Sequence, residues 1–447
     1  MDGTAQQLDL REIQGLILRG YRLPRARHFV ATVKSPAAAR AALARFIDGE
    51  AGRCPQLTTS EVWESKPDHC LNLGITWPGL LALGLPDANR ADVIKEFGAF
   101  CEGPAKRAQL MGDVGESAPD RWIGGLGSGD DHVLVVLYAA DEPTLTSRAA
   151  QVESVLRRDG AFELTLTFDA AALPDERVHF GYRDGISQPR IEGAPNVLED
   201  GQPAVPAWHF VLREDAILYK VPHPELFRNG SFGVLRILEQ DVAGFEAMLE
   251  ANRGDVDPEL LAAKLMGRWR NGTPLALSPD APVAHPAIAP EALNQFDYLD
   301  DKVGHCCPIG SHIRRAFPRS QRVIGNNTPI HRLVRRGLPY GPPYEPGEAP
   351  GIERGLIGFF INANIRDQYE FVTEKWLNQG GFTAKLPDAS RDFFASGDGS
   401  AREFEIVVGD GKTVKLRALS AFIKTRGAAY CFLPSRSGLD RLTRGMN

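Results

Sequence analysis

Strand-like and helix-like periods alternate along this chain, and that alternation limits its possible folds. His28 to Lys34 (HFVATVK) has the two-residue period of a strand. Ser35 then stands where a helix cap belongs, before an Ala-rich stretch running to Ile47. His132 to Ala140 (HVLVVLYAA) reads as a buried strand, Asp141 opens a helical pattern to about Arg158, and Phe162 to Phe168 (FELTLTF) alternates as a strand again. The second half repeats this theme. Ser231 to Leu238 is a strand and Glu239 to Glu250 a helix. Leu356 to Ile361 (LIGFFI) is a strand, and Ile365 to Gln379 a helix with Phe371, Val372 and Trp376 for its apolar face. Glu403 to Val408 and Tyr430 to Leu433 read as late strands. Each half therefore carries two strand-helix units separated by other strands. This is the pattern of a split β-α-β unit, which predicts an α+β fold of two duplicated ferredoxin-like halves, each an antiparallel sheet with helices on one face. The Gly- and Pro-rich segment Gly193 to Pro206 (GAPNVLEDGQPAVP) marks the break. The expected division is residues 1–200 and 201–447.

Bulk properties exclude several classes of function. Net charge is −6, from 51 basic and 57 acidic residues, which gives no footprint for nucleic acid. The longest strongly apolar stretch, Val133 to Ala140, is too short to cross a bilayer. The N-terminal residues MDGTAQQLDLREIQG lack a basic segment followed by an apolar core, so the expectation is a cytoplasmic protein. The six cysteines form no C-x-x-C and no C-x-x-C-H, which argues against a zinc ribbon, a redox pair and covalently attached haem.

Gly272 to Gly351 differs from the rest. It is rich in Pro and Gly, has little periodicity, and carries His305, His312, His331 and many arginines. A long irregular segment of this kind points to function. In CPIGSHIRRAFPR (Cys307 to Arg319), His312 lies among Arg314, Arg315 and Arg319. A cationic cluster suits an anionic ligand that also needs a nitrogen donor. Haem b, with an axial imidazole on iron and two propionates, fits that description. In HRLVRRGLPYG, the Gly-Leu-Pro-Tyr-Gly stretch reads as a turn that stiffens Arg335 and Arg336. GYRDG (Gly181 to Gly185) places Asp184 between glycines, a pattern that predicts a tight bend.

Taken in order, these segments resemble the dye-decolorizing peroxidases. GYRDG matches the family's G-x-x-D-G signature, HIRRAFPR (His312 to Arg319) resembles its proximal-histidine segment, and RRGLPYG (Arg335 to Gly341) resembles the segment carrying its distal arginine. LREIQGLILRGY, RNGSFGVLRILEQDV, AAKLMGRWRNGTPL and LIGFFINANIRDQYEFV resemble its framework, so the likeness spans nearly the whole chain. It implies a haem b peroxidase with non-covalent haem in the C-terminal half. On the matching positions, His312 is the axial iron ligand, Asp184 the distal acid/base and Arg335 the distal arginine. Ser187 and Gln188 continue the distal loop near a propionate, and Arg315 is the expected propionate partner.

Two positions depart from the family. Phe317 stands where many members have Asn. The acid that supports the axial His in many members corresponds here to Asn362-Ala363-Asn364, followed by Asp367 and Glu370, so Asn362, Asn364, Asp367 and Glu370 are the candidate partners of His312. The resemblance implies hydrogen peroxide as oxidant and dyes, phenolics or other one-electron donors as reductants. Surface relays for bulky donors would draw on Trp208, Trp269, Trp376, Tyr340 or Tyr344. Since most aromatic residues fill cores, none is singled out. A haem-handling protein for transfer or iron release on the same fold is the alternative. It would need His312 but not the Asp184–Arg335 pair. The oligomeric state stays open, a homodimer among the options.

Overall fold

A computed structural model describes residues 7–195, 202–283, 289–325, 328–383, 385–386, 390–395, 402–408 and 411–445. The described residues form ten strands: β1 (Arg25–Val33), β2 (His69–Thr76), β3 (Val133–Ala139), β4 (Phe162–Ala171), β5 (Ser231–Gln240), β6 (Val334–Tyr340), β7 (Gly355–Asn362), β8 (Arg402–Val408), β9 (Lys412–Leu419) and β10 (Ile423–Leu433). Eight of them make one sheet in the order β4-β1-β3-β2-β10-β5-β7-β6, antiparallel throughout. β8 and β9 form a separate hairpin.

The strand order carries the duplication. In the first half the chain runs β1, helix Pro36–Asp48, β2, β3, helix Glu142–Arg157, β4, and the strands lie in the order 4-1-3-2. In the second half β5, β6, β7 and β10 repeat that order, with helices Val242–Ala251 and Pro258–Met266 after β5 and a helical segment after β7. This is the split β-α-β topology twice. The halves meet edge to edge where Cys431 of β10 pairs with Thr76 of β2. The outermost strands also approach each other, with the Phe168 ring of β4 edge-on to Tyr340 of β6 at 4.9 Å.

Both faces of the sheet are covered. On the helical side Phe29, Leu71, Leu73, Val135 and Leu137 pack against Leu43, Phe46, Val152 and Leu156 of the two first-half helices. On the other side Val30, Val136, Leu235, Ile357 and Phe359 pack under Leu16, Ile17 and Phe210. That is why β3 reads as an unbroken apolar run rather than an alternating one. Asp141 accepts from the Thr144 N–H and caps its helix. Ser35 makes no such side-chain bond, and Pro36 at the first helical position sets that entry instead.

Three readings of the sequence are corrected. β2 was not anticipated. The helix expected from Ile365 to Gln379 is shorter and π-wound, over Arg366–Glu370 and Val372–Leu377. The stretch GLPYG is no turn: Gly337 to Tyr340 continue the strand β6 that Val334 to Arg336 begin. β6 lies at the end of the sheet order, and Pro339, opposite Leu356 of β7, is tolerated there because an edge strand has one side free of ladder bonds. Within the expected break, residues 196–201 lie outside the described residues, and Ile191 and Val205 on either side are joined by a parallel bridge. No described helix is long and apolar enough to cross a membrane.

Candidate active site

The loop before Pro189 is tied down at several backbone points. Gly181 and Gly185 have φ of 84° and 73°, a left-handed conformation that glycine adopts without Cβ strain. The Asp184 N–H donates to Glu176 O at 3.0 Å and the Arg183 N–H to Arg270 O at 2.9 Å. Tyr182 is buried and its hydroxyl donates to Ala262 O at 2.7 Å. Asn294 donates to Ile186 O at 2.8 Å while accepting from Arg268. The bend expected at GYRDG is therefore real, and it holds the Asp184 side chain over a cavity. Arg183 does not pair with Asp184: its guanidinium meets Glu176 at 3.2 Å.

Arg335 approaches from β6. Its backbone is held on one side by β7, opposite Phe360, and on the other by the Gln188 amide, which accepts from Arg335 N at 3.1 Å and donates to Arg335 O at 3.2 Å. Its guanidinium reaches Asp184 Oδ1 at 3.2 Å and Ser187 O at 3.4 Å. Asp184, Ser187 and Arg335 line a cavity of about 340 Å³. Gln188 faces instead a second space of about 700 Å³, which Asp184 and Arg335 also line, so the pair stands between the two. The Asp184 side chain is 44% exposed and borders both of these spaces. Enclosure raises its pKa. The charge of Arg335, the Gly185 N–H and, more remotely, His312 outweigh that, and the carboxyl sits below its ordinary value.

His312 opens the short helix His312–Ala316 and lines the same 340 Å³ cavity. Its Nδ1 donates to Asp392 Oδ2 at 2.9 Å. Asp392 is 1% exposed and also accepts from the Phe394 N–H at 2.7 Å. Burial raises its pKa, but His312, then Arg315 and the Phe394 N–H, overcome that and hold the carboxylate ionised below its usual range. An ionised acceptor at Nδ1 places the ring proton there and leaves the Nε2 lone pair as the free donor.

None of the four expected partners serves His312. Asn362 donates to Phe360 O, Asn364 pairs with Asp367, and Glu370 is taken by Arg107 and Tyr430. Asp392 lies 80 residues beyond His312. Its only trace in the sequence is an acid set just before two phenylalanines, too faint to select it.

Arg315 also lies elsewhere than expected. It is fully buried and its donors go to the carbonyls of Gly310, Trp376, Gln379 and Ser390. Arg314 is likewise spent, on Asp301 and Cys307 O. Besides Arg335, the arginines lining the cavity are Arg183, Arg236, Arg268, Arg319, Arg332 and Arg336, and of these Arg319 and Arg332 meet Phe317. Phe317 lies between them, 4.9 Å from the Arg319 guanidinium and 3.8 Å from that of Arg332, so an aromatic ring in contact with both cations fills this position. His331 is stacked on Phe371 at 3.9 Å, away from the cavity. Trp269, Trp376 and Tyr340 are buried.

The donor set suits haem. One imidazole offers Nε2 to the cavity, its other nitrogen is held by a buried carboxylate, Phe359, Phe360, Met266 and Leu377 supply apolar wall, and Arg319 and Arg332 offer positive charge. A bare metal ion is less well served: among the described residues no three His, Cys, Asp or Glu side chains cluster as a metal site.

Comparison with known proteins agrees with this geometry. No family model matches the chain. It is 28% identical to Peroxidase 2 of Mycetinis scorodonius over 464 residues, covering 97% of this chain and 87% of that protein. It is 27% identical to the dye-decolorizing peroxidase AauDyP1 of Auricularia auricula-judae over 466 residues, covering 98% and 87%. The solved structure of an ancestral D-type dye-decolorizing peroxidase superposes with a TM-score of 0.86 at 26% identity, covering 98% of this chain and 99% of that one. With the duplicated fold and a likeness that runs over nearly its full length, the chain is similar throughout to dye-decolorizing peroxidases.

Proposed function

We propose that the protein is a haem peroxidase that reduces hydrogen peroxide and oxidises one-electron donors such as dyes and phenolics. One observation carries this reading. Asp184 and Arg335, paired at 3.2 Å, line the same cavity as His312. Haem b, bound without covalent linkage, would supply the iron that receives oxidising equivalents from peroxide. His312 would hold it through Nε2, with Arg319 and Arg332 as the propionate partners and Ser187 beside them on the distal loop.

Asp184 is the acid/base. Its carboxylate, kept ionised by Arg335, takes a proton from one peroxide oxygen and returns it to the other, so that water can leave. Arg335 steadies the negative charge that builds on the departing oxygen. The apolar cavity walls limit competing water. The distal loop comes from residues 1–200, and both the axial histidine and Arg335 come from residues 201–447. This division of labour supports reading those spans as the two functional halves. A haem-handling protein has no use for an acid–arginine pair over the cavity, so the pair favours the enzyme.

The test is spectroscopic. Purified protein reconstituted with haem b should show a Soret band that is lost or displaced in His312→Ala. Asp184→Asn should keep the band yet react slowly with hydrogen peroxide. No haem band in the native protein, or an Asp184→Asn reaction as fast as native, overturns the reading.

A further inference from the structure

Glu370 has no part in holding His312, yet it is a fully paired carboxylate at 2% exposure. Both its oxygens are held by Arg107, at 2.5 and 2.6 Å, and the Tyr430 hydroxyl donates to Oε1 at 2.9 Å. Arg107 has a second partner, Glu102, whose side chain is half-exposed. Tyr369, the residue before Glu370, lines the cavity that holds His312 and Asp184. Its ring stands edge-on to that of Tyr430, with centroids 6.4 Å apart. The residues thus run from the cavity through two phenols to a carboxylate, a guanidinium and the surface.

Stability is a weak reason for such a cluster, because replacing a buried ion pair by apolar residues is often neutral or stabilising. The arrangement suits a different task. A phenol that loses an electron becomes a strong acid, so a buried tyrosine is oxidised readily only when a base already holds its proton. Tyr430 meets that condition. Burial, reinforced by Glu370, holds its pKa far above the ordinary phenol value, so it does not ionise in the resting protein. When Glu370 takes a proton and becomes neutral, Arg107 keeps Glu102 as its counter-charge.

We propose that Tyr430 is a redox residue, with Tyr369 as its contact to the cavity and Glu370 as its proton acceptor. This rests on the peroxidase reading above. The oxidant is haem b oxidised by hydrogen peroxide. One electron leaves the Tyr430 ring through Tyr369 and reduces that oxidant by one equivalent. The phenolic O–H bond breaks as an O–H bond forms on Glu370 Oε1, leaving a neutral tyrosyl radical. A phenolic one-electron donor at the surface restores Tyr430, and the proton returns from Glu370.

The test is rapid-freeze electron paramagnetic resonance on the haem-loaded protein mixed with hydrogen peroxide, with and without ring-deuterated tyrosine. A tyrosyl signal that narrows on deuteration should appear in the native protein, be lost in Tyr430→Phe, and form more slowly in Glu370→Gln. Tyr430→Phe removes one oxygen and leaves the Glu370–Arg107 pair intact, so it guards against a folding defect in the glutamine variant. A native-strength signal in Tyr430→Phe, or none in the native protein although peroxide changes its haem absorption, overturns the relay. If peroxide leaves the haem absorption of the native protein unchanged, the peroxidase reading itself has failed.

Discussion

Asp392 Oδ2 accepts a hydrogen bond from His312 Nδ1 at 2.9 Å, from a carboxylate that is 1% exposed. A charged acceptor makes the opposite ring nitrogen a stronger electron donor than a neutral amide would. The consequence runs against what Asn362 or Asn364 at this place would imply: on the proposed role of His312, an iron held there would have a lower reduction potential. Asp392→Asn should raise that potential and weaken haem binding by roughly 10–100-fold. Spectroelectrochemical titration and haem transfer to an acceptor protein measure the two effects.

The pair of Asp184 and Arg335 sets a pH dependence. On its proposed role as base Asp184 must be deprotonated to act, and its pKa lies below the ordinary carboxylate value because Arg335, the Gly185 N–H and His312 together exceed the cost of enclosure. The rate of the peroxide step should therefore hold down to about pH 4 and fall only below it. Arg335→Leu removes the largest of those stabilising charges, so the acid limb should move to higher pH while the plateau drops. Asp184→Asn should lower the plateau by roughly 10²–10⁴-fold with haem retained. Stopped-flow absorption from pH 3 to 8 (a range set by roughly one unit below and several above a carboxylate pKa) gives all three profiles.

Much of this was legible in the sequence, and the failures share a cause. Most strands and helices, though not β2, β6 or β9, carry clear local periods, and GYRDG and HIRRAFPR carry local chemistry, so a one-dimensional reading finds them. Asp392 has no local mark: only tertiary packing brings it to His312. Arg315 and Arg319 are interchangeable along the chain, and packing alone buries one among four backbone carbonyls and sets the other, bonded to Asn294 O and Phe296 O, on the cavity wall. The misreading of β6 came from Pro339 and two glycines, which imitate a turn unless the strand is known to lie at an edge.

Arg315 should therefore matter for stability before chemistry. It ties Gly310, just ahead of His312, to Ser390, just ahead of Asp392. Arg315→Met leaves several buried carbonyls without a donor, each at a cost of about 1–3 kcal/mol. The expected loss is at least about 3 kcal/mol of unfolding free energy, together with weaker haem binding. Urea denaturation with and without haem would show it. A variant of native stability would mean that these carbonyls find other donors.

Gly358 on β7 offers a way to move Arg335 without touching it. A Cβ there would lie 2.2 Å from Arg336 O and 2.3 Å from the Gly337 Cα, both backbone atoms that cannot turn aside. Gly358→Ala should push the edge strand β6 outward and carry Arg335 away from Asp184. Because β6 is paired on only one side within the sheet, the shift should cost stability modestly, about 1–3 kcal/mol for overpacking. The peroxide step should suffer more, since the Asp184–Arg335 contact already spans 3.2 Å and lengthens further. The same loss of Arg335 charge should raise the acid limb of the pH profile toward that of Arg335→Leu. A Gly358→Ala protein with a native pH profile and native peroxide rate would show that β6 absorbs the methyl group without displacing the arginine.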